Sequence, residues 1–448
     1  VGAGGRLLTG GAPPRQIRLS ATGAAALAAL LAGDRAPGAA ALGRRLVAGG
    51  TIHPLAAEAG EAAGEEGPGG PLTVVVPVRD GGSGLGALLV ELRGLATVIV
   101  VDDGSADGSA AAAAAAGARV LANEGLPGPA GARNTGLRAA ATELVAFVDA
   151  DCSGSPGWAG ALAALLAEDL GLALVAPRVH SAPGPGPIAR YESGHSPLDL
   201  GPQPGLVGPG RRLGFVPSTA LVGRRSALLA AGGFDERLRF GEDVDLVLRL
   251  LAAGWRVRYS PEVGVRHRPR PNAAALARQR CEYGGSAAVL DRRHPGAVAP
   301  VRLGPHTAVV WAATVRNPLA GAGAALVSAA LAARGGSDWP ARRALAALAL
   351  SGHGRSLPHL ARLAVRDWLP LTAAACLLSP AARRRAGLAL ALDTFASRRP
   401  DAAPLAPPLR LGLRALDASA YAAGLWRGAA AARSPRALLP GWRKGPAK

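Results

Sequence analysis

The sequence predicts an α/β protein: a mostly parallel sheet layered with helices, led by a small module and followed by a helical, basic region. Three observations carry that expectation. Apolar runs at 72–76, 97–101, 144–148 and 172–176 have strand length and alternate with helical stretches, the pattern of strands joined by crossover helices. The first three runs open directly into polar or acidic residues, and α/β sheets collect ligands at strand carboxyl ends. Beyond about residue 300 the chain becomes rich in Ala, Leu and Arg, which reads as helix.

The leading module is placed at 1–67. Segments 5–8 and 16–19 read as two short strands around a Gly-Gly-Ala-Pro-Pro turn. Amphipathic helices are expected over 21–32 and 39–47, and Thr51 to Pro54 begins another strand. A Gly-, Ala- and Glu-rich linker at 61–70 leads into the central domain, 71–295. The helical region is placed at 300–448. Its apolar runs, 317–333 and 369–382, fall short of the roughly 20 residues that span a bilayer. Membrane association and a soluble helical cap both remain open for it.

Charge and cysteine usage remove several function classes. The net charge is +19, and from residue 301 onward 19 Arg and 2 Lys stand against 5 Asp. No aromatic interleaving or motif accompanies that surplus, so no nucleic-acid partner is expected. Basic residues beside apolar runs fit an anionic membrane surface better, and the expected location is the cytoplasmic side of the cell membrane. Cys152, Cys281 and Cys376 are far apart and give neither a zinc pattern nor a disulfide framework. Val1 to Gly11 hold no charged head followed by a long apolar run, so no signal peptide is expected there. Gly81 to Gly86 is glycine-rich without the spacing of a dinucleotide fingerprint.

The chemistry-bearing residues lie at the strand ends. The first strand ends at Pro77 and continues into Arg79 and Asp80; the second opens into Asp102, Asp103, Gly104 and Ser105. A carboxylate there can accept hydrogen bonds from a nucleobase or a ribose, while helix capping by Ser105 or Asp107 is the structural alternative. The third strand delivers Asp149 and Asp151, one residue apart. In a tight turn both can face one site as oxygen ligands for Mg²⁺ or Mn²⁺, although an isolated D-x-D also occurs in solvated turns.

In this order, these elements resemble the family-two glycosyltransferases of the GT-A fold. The segment Gly131-Ala132-Arg133-Asn134-Thr135-Gly136 is similar to that family's G-x-R-N-x-G, and Gly232-Gly233-Phe234-Asp235-Glu236 to its GGFDE turn. Glu242-Asp243 opens a helix similar to the family's ED-x-x-L-x-x-R-L, with Val244, Val247, Leu248 and Leu251 as its apolar face. The resemblance implies a nucleotide-sugar donor, such as a UDP-sugar, held by Pro77, Arg79, Asp80, Asp102, Asp103, Arg133, Asn134 and Asp149. It implies a metal at Asp149 and Asp151 with His267 in reach, and Asp243 as general base beside Glu242. Inversion requires such a base opposite the departing diphosphate.

Segments 191–202, 214–218 and 254–259 resemble, more narrowly, the glycosyltransferases of mycofactocin maturation. The leading module resembles PqqD-like, winged-helix-type domains that bind precursor peptides. That likeness implies UDP-glucose as donor, a peptide-derived redox cofactor or its precursor as acceptor, and a short β-linked glucose chain as product. A cell-wall or polyprenyl-linked sugar transferase and an inactive binding module are the alternatives.

Overall fold

The computed structural model describes residues 6–10, 15–34, 38–54, 71–93, 97–155, 157–336 and 339–442. The chain divides into two compact units, Val1–Gly184 with Ser196–Pro269, and Pro185–His195 with Arg270–Lys448. The helix over 273–293, expected within the central domain, therefore groups with the second unit.

In the first unit the leading module is a hairpin, β1 (Leu7–Gly10) with β2 (Arg15–Arg18), followed by α1 (Ala21–Ala32) and α2 (Ala39–Ala48). Ser20 caps α1 by accepting from the Gly23 amide at 3.0 Å. Leu8, Leu19, Leu27 and Leu46 make a small core of its own. Thr51 to Pro54 is not the expected strand, because the Thr51 and Ile52 amides turn back onto the Leu46 carbonyl and close α2. The Gly-Pro turn at 11–14 and the linker at 61–70 lie outside the described residues.

The remainder of this unit runs β3 (Leu72–Val78), α3 (Gly82–Glu91), β4 (Thr97–Asp102), α4 (Ser109–Ala115), β5 (Arg119–Ala122), α5 (Pro129–Ala139), β6 (Leu144–Val148), β7 (Cys152–Gly154), α6 (Trp158–Glu168) and β8 (Leu172–Ser181). After α7 (Pro187–His195), which belongs to the second unit, come β9 (Gly205–Leu206), β10 (Ala220–Arg224), α8 (Arg225–Ala230), α9 (Glu242–Ala252) and β11 (Arg256–His267). The strands form one sheet in the order β5-β4-β3-β6-β10-β8-β11-β7, with β9 also on β11.

Strands β5, β4, β3 and β6 are parallel neighbours, as are β8 and β11. Strand β10 runs antiparallel between β6 and β8, and β7 and β9 run antiparallel to β11. The expected mostly parallel sheet is thus a mixed one. Strands β7 and β9 have three and two residues, too short to register as apolar runs. In β10 a Gly and an Arg interrupt the run.

Side chains alternate between two cores, as a pleated strand requires. Val74, Val76, Ala146 and Val148 face a layer built by α3, α4 and α6. Val75, Ile99, Val145 and Phe147 face α5, α8 and α9. Helix α5 lies so close to β3 that a Cβ on Gly136 would stand 2.2 Å from Val75 Cγ1, which explains why glycine closes the G-x-R-N-x-G segment.

The second unit is helical: α7, α10 (Ala273–Arg293), α11 (Pro305–Arg316), α12 (Pro318–Ala333), α13 (Trp339–Arg362), α14 (Leu369–Leu378), α15 (Pro380–Ala396) and α16 (Pro407–Ala431). A short ribbon pairs β12 (Arg302–Leu303) with β13 (Gly441–Trp442). Its interior is charged. Arg280 lies between Glu192 at 3.1 Å and Asp417 at 3.2 Å, Tyr191 donates to Asp417 at 2.9 Å, and Arg414 pairs with Asp393 at 2.6 Å. Such a network is stable only while every member stays paired. The apolar run 369–382 is not continuous helix, because Ser379 caps and Pro380 starts a new helix there. No helix among the described residues is long and apolar enough to cross a membrane.

Candidate active site

The parallel half of the sheet brings the ends of β3, β4 and β6 together. Asp103 N–H donates to the Val78 carbonyl at 2.8 Å, extending the β3–β4 ladder into the loops. Asp80 takes a left-handed backbone, φ 53°, which Asp tolerates better than most residues. It accepts from the Ala106 amide at 2.8 Å, while its own amide donates to Ser105 Oγ at 3.0 Å. Asp102 accepts from the Ser105 amide at 3.1 Å. Asp80 and Asp102 thus tie the two loops together, and Pro77 is buried in β3 itself.

Asp103 is organised more tightly. Its carboxylate accepts from Asn123 Nδ2 at 2.6 Å and from the Gly128 amide at 2.9 Å. Arg79, largely exposed, lies 3.8 Å away. A fixed acceptor beside an exposed cation at the strand ends is suited to a nucleoside.

Strand β6 ends at Val148, and the amide of the next residue, Asp149, donates to the Thr219 carbonyl just before β10 at 3.0 Å. The chain then turns through Asp151 into β7, which pairs antiparallel with β11 so that Cys152 stands opposite His267. That pairing sets His267 Nε2 3.3 Å from Asp151 Oδ2, although 116 residues separate them in the chain. Burial holds the Asp149 carboxyl above its ordinary value, with Arg133 opposing and the Asp151 charge adding to the rise. Excess negative charge at such a turn favours a cation. Among the described residues no three His, Cys, Asp or Glu side chains form a metal-holding group. Asp149 and Asp151, with His267 beside them, are nonetheless donors of the kind a hard divalent ion such as Mg²⁺ or Mn²⁺ would accept.

Helix α5 supplies Arg133, only 3% exposed, and Asn134. Arg133 Nη2 donates to Asp149 Oδ1 at 2.6 Å and Nη1 to Glu242 Oε1 at 3.1 Å. One guanidinium thus spans the strand-end carboxylate and the first turn of α9. Asn134 has a different partner. Its amide donates to the Phe234 carbonyl and to Glu236, both at 2.8 Å, and its oxygen accepts from the Phe234 amide at 2.9 Å. It fixes the GGFDE turn.

Asp243 is half-buried at the start of α9 and accepts from the Val244 amide at 2.8 Å and the Ser218 amide at 3.3 Å. Burial first, then the adjacent Glu242 charge, raise its carboxyl to about 7, against the two amides and Arg133. A carboxylate poised near neutral pH is what a general base needs. The buried stripe beneath it is Leu246, Val247, Leu248 and Leu250; Val244 and Leu251, expected there, are only half-buried.

Several contributors were given no role by the motif reading, although Ser218 and Glu236 lie within segments that carry the resemblance. Ser218 reaches Asp243 through its amide and Glu242 through its hydroxyl at 3.4 Å, Asn123 orients Asp103, and Glu236 accepts from the Leu126 amide at 2.7 Å. Arg268 is exposed beside the Asp149–Asp151 turn, its amide donating to the Asp151 carbonyl at 3.1 Å. A Cβ on Gly84 would stand 3.1 Å both from Arg268 Nη2 and from the Ala150 carbonyl oxygen, so the glycine leaves room for that guanidinium. The signal for Arg268 was its place directly after His267. Trp255 packs partly buried against the core, and His195 stacks on Tyr191 in the second unit.

The profile of glycosyl transferase family 2 matches residues 73–228, and that of glycosyl transferase family group 2 matches residues 206–381. The pre-mycofactocin glycosyltransferase of Mycobacterium tuberculosis is 38% identical over 463 aligned positions, covering 97% of this chain and 94% of the relative. An uncharacterized glycosyltransferase of Mycobacterium bovis is 35% identical over 43% of this chain and 87% of its own length. Among solved structures, a mannosyltransferase from Pyrobaculum calidifontis in complex with GDP-Man and Mn²⁺ aligns with TM-score 0.43 at 18% identity, over 80% of this chain and 87% of that one. The match to the M. tuberculosis protein over nearly the whole of both chains, with the family profile over the sheet, decides the assignment: the chain belongs to the family-two glycosyltransferases, close to the pre-mycofactocin glycosyltransferase.

Proposed function

We infer that this glycosyltransferase works by inversion, with a divalent metal, and moves glucose from UDP-glucose onto mycofactocin or its peptide precursor. The observation that carries the reading is the Arg133 bridge, which ties a metal-type carboxylate, Asp149, to the acidic pair that contains the base. In the reaction the acceptor oxygen bonds to C1 of the sugar, its proton passes to Asp243, and the C1–O bond to the diphosphate breaks with its electron pair leaving on UDP. Asp103 and Arg79 receive the nucleoside. Asp149 and Asp151 would hold Mg²⁺ or Mn²⁺, with His267 beside them, and the ion supplies positive charge to the departing diphosphate. The acceptor's identity rests on the relative's name and the donor's on the family resemblance alone, and the leading module is read as a PqqD-like docking domain for the peptide.

Incubation with UDP-glucose, Mn²⁺ and synthetic pre-mycofactocin, followed by mass spectrometry and anomeric NMR, tests this. A mass gain of one or more hexoses in β configuration supports it. Transfer only to a polyprenyl phosphate would favour the lipid-linked alternative, which the exposed apolar helices of the second unit recommend. Hexose kept in the donor's configuration would rule out inversion.

A further inference from the structure

Helix α14, Leu-Pro-Leu-Thr-Ala-Ala-Ala-Cys-Leu-Leu, has no charge and no buried residue. An apolar helix that buries nothing gains nothing from its own fold in water. It is not alone. Leu319 is 82% exposed, Leu377 83%, Leu378 87% and Leu388 72%. Leu319, Leu377 and Leu378 mark two adjacent corners, and Leu388 lies further along α15. One is the α11–α12 junction, where Asn317 caps α12 and Pro318 begins it; the other is the α14–α15 junction, with Ser379 and Pro380 in the same roles. Arg385 Nη2 reaches the Arg316 carbonyl at 3.4 Å, which sets the corners side by side. Arg383 reaches the Cys376 carbonyl at 3.2 Å across the second corner.

The charge around the leucines has one sign. Arg316, Arg383, Arg384 and Arg385 are all exposed there. Helices α11, α12 and α14 contain no carboxylate, and the one on α15, Asp393, is 1% exposed and paired with Arg414. Exposed apolar side chains rimmed by unopposed arginines are complementary to a bilayer carrying anionic headgroups. A second copy of the chain fits worse, because a symmetric contact would set these cations against their own images. Spanning is excluded for these helices: the 16 residues of α12 reach about 24 Å, short of the roughly 30 Å hydrocarbon core.

We propose that the paired α11–α12 and α14–α15 corners form a monotopic docking surface for an anionic lipid bilayer. Leu319, Leu377, Leu378 and Leu388 enter the headgroup–acyl boundary, and the four arginines meet lipid phosphates. This goes beyond the sugar-transfer reading and does not depend on it.

The test is cosedimentation of the full chain with vesicles of phosphatidylcholine alone or mixed with phosphatidylglycerol, at low and high salt. Light scattering reports mass, and circular dichroism reports fold. The wild-type chain is expected to bind the mixed vesicles and to weaken as salt rises. Arg383→Gln/Arg384→Gln should lower the partition coefficient about 25-fold, from about fivefold per arginine near an anionic surface. Leu377→Ser/Leu378→Ser should lose binding even at low salt while circular dichroism and sugar transfer to a soluble acceptor are unchanged. Wild-type chain that stays in the supernatant with mixed vesicles overturns the proposal. So does binding that neither double variant weakens, or a dimer that the leucine variant converts to monomer without any vesicle binding. Loss of sugar transfer with retained vesicle binding would count against the proposed reaction alone.

Discussion

Replacing Glu242 by Gln tests the base assignment through a pH profile. Asp243 carries a carboxyl raised to about 7 by burial and by the neighbouring Glu242 charge. A base with that value is half ionised at about pH 7 and roughly a tenth ionised at about pH 6, so kcat/KM should fall tenfold per pH unit on its acid side. Charged neighbours commonly move a carboxyl by about 1–3 pH units. Arg133, 3.1 Å from Glu242, already offsets part of that charge, so the lower end is expected. Glu242→Gln should therefore move the acid limb down by about one unit. Asp243→Asn should lower turnover by about 10² to 10⁴ with little change in UDP-sugar affinity. Stability gives an independent sign. A carboxyl whose folded value lies above its unfolded one near 3.8 costs stability as pH rises from about 4 to about 7. Asp243→Asn removes that cost and should raise the melting temperature at about pH 8 but not at about pH 4. The assay is a phosphatase-coupled UDP-release measurement across pH, with thermal melts at both ends. An acid limb unmoved in Glu242→Gln, or near-normal turnover in Asp243→Asn, would refute the reasoning.

Three further outcomes are expected. Asp151→Ala, or chelation by EDTA, should abolish transfer with the circular dichroism spectrum unchanged, and EDTA inhibition should reverse on adding Mn²⁺; full activity in either case counts against the metal site. Arg268→Ala removes an exposed cation beside the Asp149–Asp151 turn and should weaken UDP binding about tenfold by calorimetry, in line with one charge-assisted contact of about 1.5–3 kcal/mol. Unchanged affinity would leave Arg268 a bystander. Deleting residues 1–66 should reduce use of a peptide-linked acceptor more than donor hydrolysis, and equal loss of both would make the leading module a support for the sheet.

What the sequence made legible follows the range of each interaction. Helix α1 was readable to the residue, because Ser20 caps it and Gly33 ends it within one local stretch. Three strand ends were readable because a buried parallel strand announces itself as an uninterrupted apolar run, which placed Asp103, Asp149 and Asp151 at those ends while their expected roles came only with the family resemblance. The mixed character of the sheet was hidden, since β10 enters antiparallel between two strands that precede it in the chain. With β10 hidden, so were the contacts of Ser218 and Thr219, which reach Asp243 and Asp149 because that strand pairs with β6. Arg133 and Asn134 were visible as neighbours on one motif, yet they serve different partners. On a helix, consecutive residues face about 100° apart, so Arg133 meets the acidic residues while Asn134 meets the GGFDE turn. The chain's pattern fixes the elements, and only their packing separates those two roles.

Arg133 also links the two halves of the proposed site. Its guanidinium is shared between Asp149 and Glu242, so the charge it lends to one is withheld in part from the other. If Asp149 takes part in holding a donor as proposed, its claim on Arg133 would weaken and the guanidinium would be left more fully to Glu242. The negative potential at Asp243 then falls, and its carboxyl ionises at lower pH than in the free enzyme. The pH dependence of kcat/KM reports the free enzyme, whereas that of kcat reports the bound complex. The acid limb of kcat is accordingly expected below that of kcat/KM, and the gap should shrink in Arg133→Lys, whose single ammonium cannot fork between two carboxylates. A complete pH series of both parameters for the two proteins measures it. Coincident limbs in the wild-type enzyme, or an equal gap in Arg133→Lys, would mean that donor binding and base strength are independent, and that Arg133 only neutralises buried charge.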